Sequence, residues 1–444
     1  MNAPKSILAG LAAVLAFLIA APAALAANPV ATPFDTLSGN VQYTTPGPGN
    51  ALWFTGPGGV SKMTPAGAVS HVAPLSTSFT TRGIAAGPDG NLWVSQSTFG
   101  SEQSQIARVT PAGDVTEFSA GLSNGEISEI GPGPDGDLWF TKYGAKYGDG
   151  NDGFGRITTA GAIDELHIPN SDGIRDFALG ADGRVWFADF DPIVGAINSS
   201  GEVEKWKVGK SSLDVRIEEM ISGPDGDIWF LEELNKDDVV RIRRIDAEGN
   251  ISLVTDDLIR GSNIRQLIDG GDGYAYAIDR SFGLIYRISP NGDVTAMTGG
   301  IDEKFKPLDI ASGPGGFLWI PSLQKMWRLS PELESTTVPE VTIEPLQKAK
   351  IKTRKHRVTL AYDVSVDPAD AKLTCSTRHP SEGAYFTGCA DDYTYQEKLV
   401  RRASERWGFS VLAEANGLVD PTPPMVVTRT EQTSPKKNKP GGKG

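Results

Sequence analysis

The chain has 444 residues, 39% of them apolar and 22% charged, a globular composition long enough for two or three domains and one that excludes wholesale disorder. Its formal net charge of −13 is unevenly held: residues 27–340 carry 24 Lys and Arg against 43 Asp and Glu, whereas residues 341–444 carry 17 against 12. An acidic body repels phosphate backbones, which argues against nucleic acid as a partner, and it attracts cations and cationic ligands, although solubility alone would explain the same balance.

Residues 1–26 hold Lys5, an apolar run from Ile7 to Ala20 and the small-residue triplet Ala24-Leu25-Ala26. Charged, apolar and cleavable parts in that order describe a secretory signal peptide. The run is too short to span a bilayer comfortably, and no other stretch could cross one. The expected location is secreted or extracellular, the cell envelope included, with no membrane span once the signal is removed.

Residues 27–340 are organised by one repeated stretch, Gly133–Phe140 (GPDGDLWF). Its register aromatic recurs as Trp53, Trp93, Trp139, Trp186, Trp229, Tyr276 and Trp319, at spacings of 40, 46, 47, 43, 47 and 43 residues. Around each copy lie four short apolar runs between turn signals. Glu129–Pro169 shows them as EIGPG, DLWFTK, GFGRIT and AIDELHIP. Four strands repeated seven times predict an all-β, seven-bladed propeller with four-stranded blades. Asp-Gly suits the hairpin turn and the aromatic suits the space between blades, so Asp89, Asp135, Asp182, Asp225 and Asp272 read as turn formers, not metal ligands. Either Thr32–Leu37 or Leu333–Val338 can supply the strand that closes the ring.

The repeat ends near residue 340. Strand-like runs at Arg357–Val366, Lys372–Ser376, Trp407–Ala415 and Pro424–Thr430 predict a small β-sandwich over 341–432. It holds both cysteines, Cys375 and Cys389, which are expected to pair in a secreted chain. The stretch LTCSTRHPSEGAYFTGCADDYTY, followed by FSVLAEANGLVDPTP, resembles bacterial extracellular immunoglobulin-like modules, which implies a spacer or adhesion unit. Residues 433–444, rich in Lys, Pro and Gly, are expected to be a disordered basic tail.

In a propeller the first turn of each blade lies on one face, so ligand chemistry is expected on the other, around the central opening. Eleven residues before the aromatics stand Gln42, Arg82, Ser128, Arg175, Glu218, Arg265 and Leu308; ten before stand Tyr43, Gly83, Glu129, Asp176, Glu219, Gln266 and Asp309. Three residues after stand Gly56, Gln96, Lys142, Asp189, Glu232, Asp279 and Ser322, and Glu233 and Arg280 follow two of these. Arg82, Arg175, Asp176, Glu218, Glu219, Arg265, Asp279 and Arg280 are therefore the candidate ligand-binding residues, forming either a polar pocket or a satisfied salt-bridge network. Asp149, Asn151 and Asp152, in the Gly-rich loop between Lys142 and Gly155, offer oxygen ligands to calcium but miss the EF-hand spacing.

The form GPDGxLWFT…IGRIT…GxI, nearly complete from Gly133 to Ile163, resembles the streptogramin B (virginiamycin B) lyase family over residues 40–335. That resemblance implies a seven-bladed, magnesium-dependent enzyme that opens a cyclic depsipeptide lactone by elimination. It also implies histidines in the slot eleven residues before the aromatic and a glutamate in the following loop. No histidine occupies that slot; Glu233 matches the glutamate, with Glu232 and Asp189 nearby. Glu232 and Glu233 are thus the candidate catalytic residues, and Asp189, Glu232 and Glu233 the candidate ligands for magnesium or calcium. The expectation is a secreted binding propeller for a small molecule or an extracellular or cell-surface partner. The alternative is a divergent metal-assisted lyase or lactone hydrolase.

Overall fold

The computed structural model describes residues 31–330, except 36–40, 99–102, 145–151, 172, 210–214, 235–238, 257, 259–262, 282, 298–306 and 323–324, together with the strands between residues 340 and 432. Seven antiparallel four-stranded blades form a propeller, six as separate sheets and blade six continued through a C-terminal strand. Their innermost strands are Thr44–Gly47, Thr80–Ala86, Gly125–Pro132, Ile174–Leu179, Val215–Ser222, Ile264–Asp269 and Ala311–Gly313. The seventh blade takes its outermost strand from the other end of the chain: Thr32–Asp35 pairs with Lys325–Leu329, Thr32 facing Arg328. The first of the two closures expected is the one adopted, and residues 333–338 lie outside the described residues.

The register aromatics explain why the blades stack. All seven are at most 1% exposed. Strand alternation points each one out of its own sheet into the neighbouring blade, where burial of so large a ring contributes several kcal/mol. The turn aspartates do more than reverse the chain. Each accepts the backbone N–H two residues on, and its carboxylate also accepts a bond from the aromatic: Trp93 Nε1 at 3.1 Å from Asp89, Trp139 at 3.2 Å from Asp135, Trp229 at 2.8 Å from Asp225, and the Tyr276 hydroxyl at 2.8 Å from Asp272. This satisfies the only polar atom of a buried indole. The indole lies so close to the glycine that opens the motif that a Cβ on Gly133 would stand 2.1 Å from Trp139 Cδ1, which is why that position is glycine.

A basic residue faces the aromatic across the ladder in six blades, as Trp93↔Arg108, Trp229↔Arg244 and Trp319↔Arg328. In blade four Ala196 stands there and Arg184, from the turn, covers Trp186 instead, 4.6 Å from the ring centroid. Several of these guanidiniums reach on to a carbonyl in the next blade: Arg108 to Thr159 at 3.0 Å, Arg184 to Ala247 at 2.6 Å, Arg244 to Pro290 at 3.3 Å, and Arg328 of the last blade to Pro65 of the first. The Arg of the third-strand signature is thus a staple between blades.

Beyond the propeller, Glu340–Pro345, Arg357–Asp367 and Asp392–Lys398 form one antiparallel sheet. In a second, Lys372–His379 lies between Glu382–Gly388 and Ser404–Ala415, and Met425–Gln432 lies between Ser404–Ala415 and the parallel Lys350–Thr353. The short strand Leu418–Val419 pairs with Ala296 and Met297 on the outer edge of blade six, and Val419 is buried in that blade's core. The C-terminal module therefore adds a strand to the propeller and covers an edge otherwise open to pairing. Cys375 is buried. The expected bridge to Cys389 lies outside the described residues, as do residues 1–26, Asp149, Asn151 and the tail 433–444. No described helix is long and apolar enough to cross a membrane.

Candidate functional site

The loops joining the second to the third strand of each blade, and those joining one blade to the next, share the face opposite the turn motif. What sets this face apart is a bulge in the inner strands. The register slips between Thr81 and Gly83, Ile127 and Ile130, Ile174 and Asp176, Ile217 and Met220, and Arg265 and Leu267. The slipped positions fall ten or eleven residues before the aromatics of blades two to six, and at one of them Gln266 adopts φ +54°. A bulge bends a strand and re-aims its side chains, a device common beside binding sites.

The outer tier of this ring is a paired network. Arg82 meets Glu126 at 3.5 Å, Arg175 meets Glu218 at 3.7 Å, and Arg216 meets Glu218 at 2.6 Å and Glu233 at 3.8 Å. Arg175 also lies over Phe190, 4.4 Å from the ring centroid, and Phe190 stacks on Tyr143. Arg265 donates to the Ile264 carbonyl at 3.2 Å, and the exposed Arg280 donates to the Leu308 carbonyl. Of the two arrangements expected for these arginines, the salt-bridge network describes blades two to five.

The next tier is different. Glu129, Asp176, Glu219 and Asp309, from blades three, four, five and seven, face the axis closely enough to repel one another electrostatically. The first three are half-buried, with protein surrounding each of them. Burial, then the charges of Asp176 and Asp309, hold Glu129 well above the usual carboxylate range. Burial and the same ring of acids push Glu219 up, and burial does so for Asp176. Asp309 is pushed up to about 6 by burial, against the opposing effect of its hydrogen bonds.

Two of the four have partners and two do not. Asp176 accepts the backbone N–H groups of Met220 at 2.7 Å and Phe177 at 2.8 Å. Asp309 accepts from Thr44 Oγ1 at 2.8 Å, Gln266 Nε2 at 2.9 Å and the Ile310 N–H at 2.8 Å. Nothing among the described residues favours the charged form of Glu129 or Glu219, by hydrogen bond or by opposite charge. Water-poor carboxyls without counter-charges destabilise a fold, and such groups concentrate where a ligand supplies the missing charge.

The positions three residues after each aromatic are not at the opening, which corrects the sequence expectation. Second-strand side chains point toward neighbouring blades, not along the axis. Asp189, Glu232 and Asp279 are 0–1% exposed and committed within their blades. Asp189 meets Lys205 at 3.7 Å, Glu232 meets Arg241 at 2.5 Å and Arg243 at 3.2 Å, and Asp279 accepts from the Ser281 N–H at 2.8 Å. Glu233, the next residue along the strand, points to the other face, so Glu232 and Glu233 do not converge. Asp189, Glu232 and Glu233 therefore do not fit a shared magnesium or calcium ion. Among the described residues, no three His, Cys, Asp or Glu side chains group as a metal site requires. His71 and His167 are exposed on outermost strands, away from the axis.

The model of the virginiamycin B lyase family matches residues 23–255. A search of curated proteins finds no match. Among solved structures, a streptogramin B lyase superposes with a TM-score of 0.57 at 20% identity, covering 68% of this chain and 98% of that one. Virginiamycin B lyase from Staphylococcus aureus does so with the same score and identity, covering 68% and 99%. The extracellular domain of a protein described as a hybrid two-component system from B. thetaiotaomicron has a TM-score of 0.55 at 13% identity, covering 91% of this chain and 57% of that one. At these identities the structural likeness speaks for the fold.

Proposed function

Because the chain belongs to the virginiamycin B lyase family, we propose that it uses that family's propeller as an extracellular binding module, taking a cationic ligand at the axial ring of carboxyls. The observation that carries this reading is the set Glu129, Asp176, Glu219 and Asp309, the first three presented from bulged inner strands, with Glu129 and Glu219 lacking any counter-charge among the described residues. A bound ammonium or guanidinium would relieve their mutual repulsion and return them to the ionised form. The paired arginines above them leave much of their positive charge neutralised at the entrance.

Two further points favour binding over lactone elimination. Elimination needs a general base near the reacting carbon. The slot that holds histidine in the family holds Gln42, Arg82, Ser128, Arg175, Glu218, Arg265 and Leu308 here. Glu232, one of the two glutamates that would replace it, is tied to two arginines. The signal-like residues 1–26 support secretion, and the likeness to the extracellular domain of a two-component system agrees with a binding role.

Spermidine, a slender oligocation, is the probe. It is expected to raise the melting temperature near neutral pH in the natural protein and to have a much smaller effect in E129Q/E219Q. A streptogramin B lactone incubated with the protein is expected to be recovered intact by mass spectrometry and chromatography. Ring opening above the protein-free control would favour the lyase instead.

A further inference from the structure

On the same face, beside blade one, the protein has a recess of ≈ 210 Å3 that none of the charged groups enters. One wall is the turn between the second and third strands of blade one, which is only Pro57 and Gly58, where the corresponding connections of blades two and three run to six and eight residues. Gly59 keeps that turn tight: its φ is +114°, and a Cβ there would stand 2.3 Å from the Ala73 carbonyl oxygen. The connection from blade one to blade two, Leu75–Thr81, forms the opposite wall.

The lining has a definite chemistry. Gln42, Ser76, Thr77, Thr80 and Thr81 contribute an amide and four hydroxyls, while Phe79, Leu75 and Pro57 contribute apolar surface. No Asp, Glu, Lys, Arg or His lines it, although Gln42 and Thr81 immediately precede Tyr43 and Arg82 of the axial ring. None of those five polar side chains is engaged by another among the described residues, so their donors and acceptors remain for a ligand. A charged guest would find no counter-ion here, and a hydrocarbon would leave the less exposed Ser76 and Thr81 hydroxyls without a partner. The volume falls below the ~300–1,000 Å3 of sites for drug-sized ligands, so the occupant is the size of a single ring.

We propose that this recess is a second subsite and that it takes one neutral sugar unit, whose hydroxyls meet the Ser, Thr and Gln side chains while its apolar face lies on Phe79. The proposal rests on the same ligand face as the cationic channel, and the two together specify a ligand with a cationic part and a neutral, hydroxylated part.

Saturation-transfer NMR with methyl α-D-glucopyranoside, methyl α-D-galactopyranoside and N-acetyl-D-glucosamine at millimolar concentration tests it. At least one of the three is expected to receive saturation, at least tenfold less in Phe79→Ala, and less again when Thr80→Val is added. Thr80 is exposed, so Thr80→Val alone keeps the test valid if Phe79→Ala fails to fold. E129Q/E219Q is expected to leave the sugar signal unchanged. If none of the three sugars binds, or if binding survives both substitutions, the subsite is overturned. Spermidine binding retained in that case would leave the cationic channel standing, whereas sugar binding retained with spermidine binding absent would refute the channel alone.

Discussion

Raising the pH from about 5 to about 8 will destabilise the propeller, and E129Q/E219Q will reduce that dependence, leaving the part due to Asp176 and Asp309. The sign follows from the direction of the shifts. Carboxyls held above their ordinary values keep protons in the folded state that the unfolded chain has already released, so stability falls as pH rises through the interval between the two. No penalty exists in acid, where both states are protonated, and it is complete once pH exceeds the folded-state values. Asp309, raised from 3.8 to about 6, accounts on its own for up to roughly 3 kcal/mol lost over the whole interval between its two values, about half of it above pH 5. Glu129, Asp176 and Glu219 are shifted in the same direction and extend the loss to higher pH.

Glutamine keeps the shape of Glu129 and Glu219 and removes their ionisation. The double variant is therefore expected to match the natural protein near pH 5 and exceed it near pH 8, read as melting temperature by circular dichroism. Glu126→Gln, at the half-buried partner of Arg82, is the control and should stay within about 0.5 kcal/mol. A flat profile in the natural protein, or a double variant less stable at high pH, would remove the electrostatic basis of the site.

Trp229→Ala is expected to cost roughly 3–5 kcal/mol in urea denaturation. Trp229 is 0% exposed, its indole N–H is held by Asp225 at 2.8 Å, and Arg244 opposite it joins Asp225 at 2.5 Å and blade six through Pro290. Alanine would open a ring-sized cavity and leave both Asp225 and Arg244 without their shared support. Asp225→Ala keeps the ring and leaves the buried N–H unsatisfied, a smaller loss of about 1–3 kcal/mol. Equal costs for the two would mean that the hydrogen bond, not the packed ring, holds the blade. A cost below about 1 kcal/mol for Trp229→Ala would contradict the inter-blade role of the motif.

The sequence was a good guide wherever a residue's role repeats. A spacing of 40 to 47 residues between register aromatics is visible in one dimension, so the seven blades and the turn role of the aspartates could be read from it. The staple made by Arg108, Arg184, Arg244 and Arg328 joins residues from different blades, and only the closed ring shows it. Blade four shows the limit of a motif: Arg184 reaches Trp186 from the turn because Ala196 occupies the usual place.

At the candidate site, counting eleven and ten residues back located the correct ring but not its two tiers. The bulges divide it, and no side-chain pattern announces a bulge. Arg82, Arg175 and Glu218 are partnered in the outer tier, whereas Glu129 and Asp309, which the spacing gave no reason to prefer, join Asp176 and Glu219 in the acidic one. Counting three forward failed for a simpler reason. Asp189, Glu232 and Asp279 sit on strands whose side chains pack between blades, so charge in sequence became charge paired inside the fold.

The central claim is that the axial carboxyls form a cation site whose affinity rises with their ionisation. Calorimetric titration of spermidine into the natural protein and E129Q/E219Q, each at about pH 5 and pH 8, measures it most directly. Saturable binding at the higher pH is expected, at least tenfold weaker at the lower pH and in the variant. Equal affinity in all four titrations, or none in the natural protein at the higher pH, would contradict it.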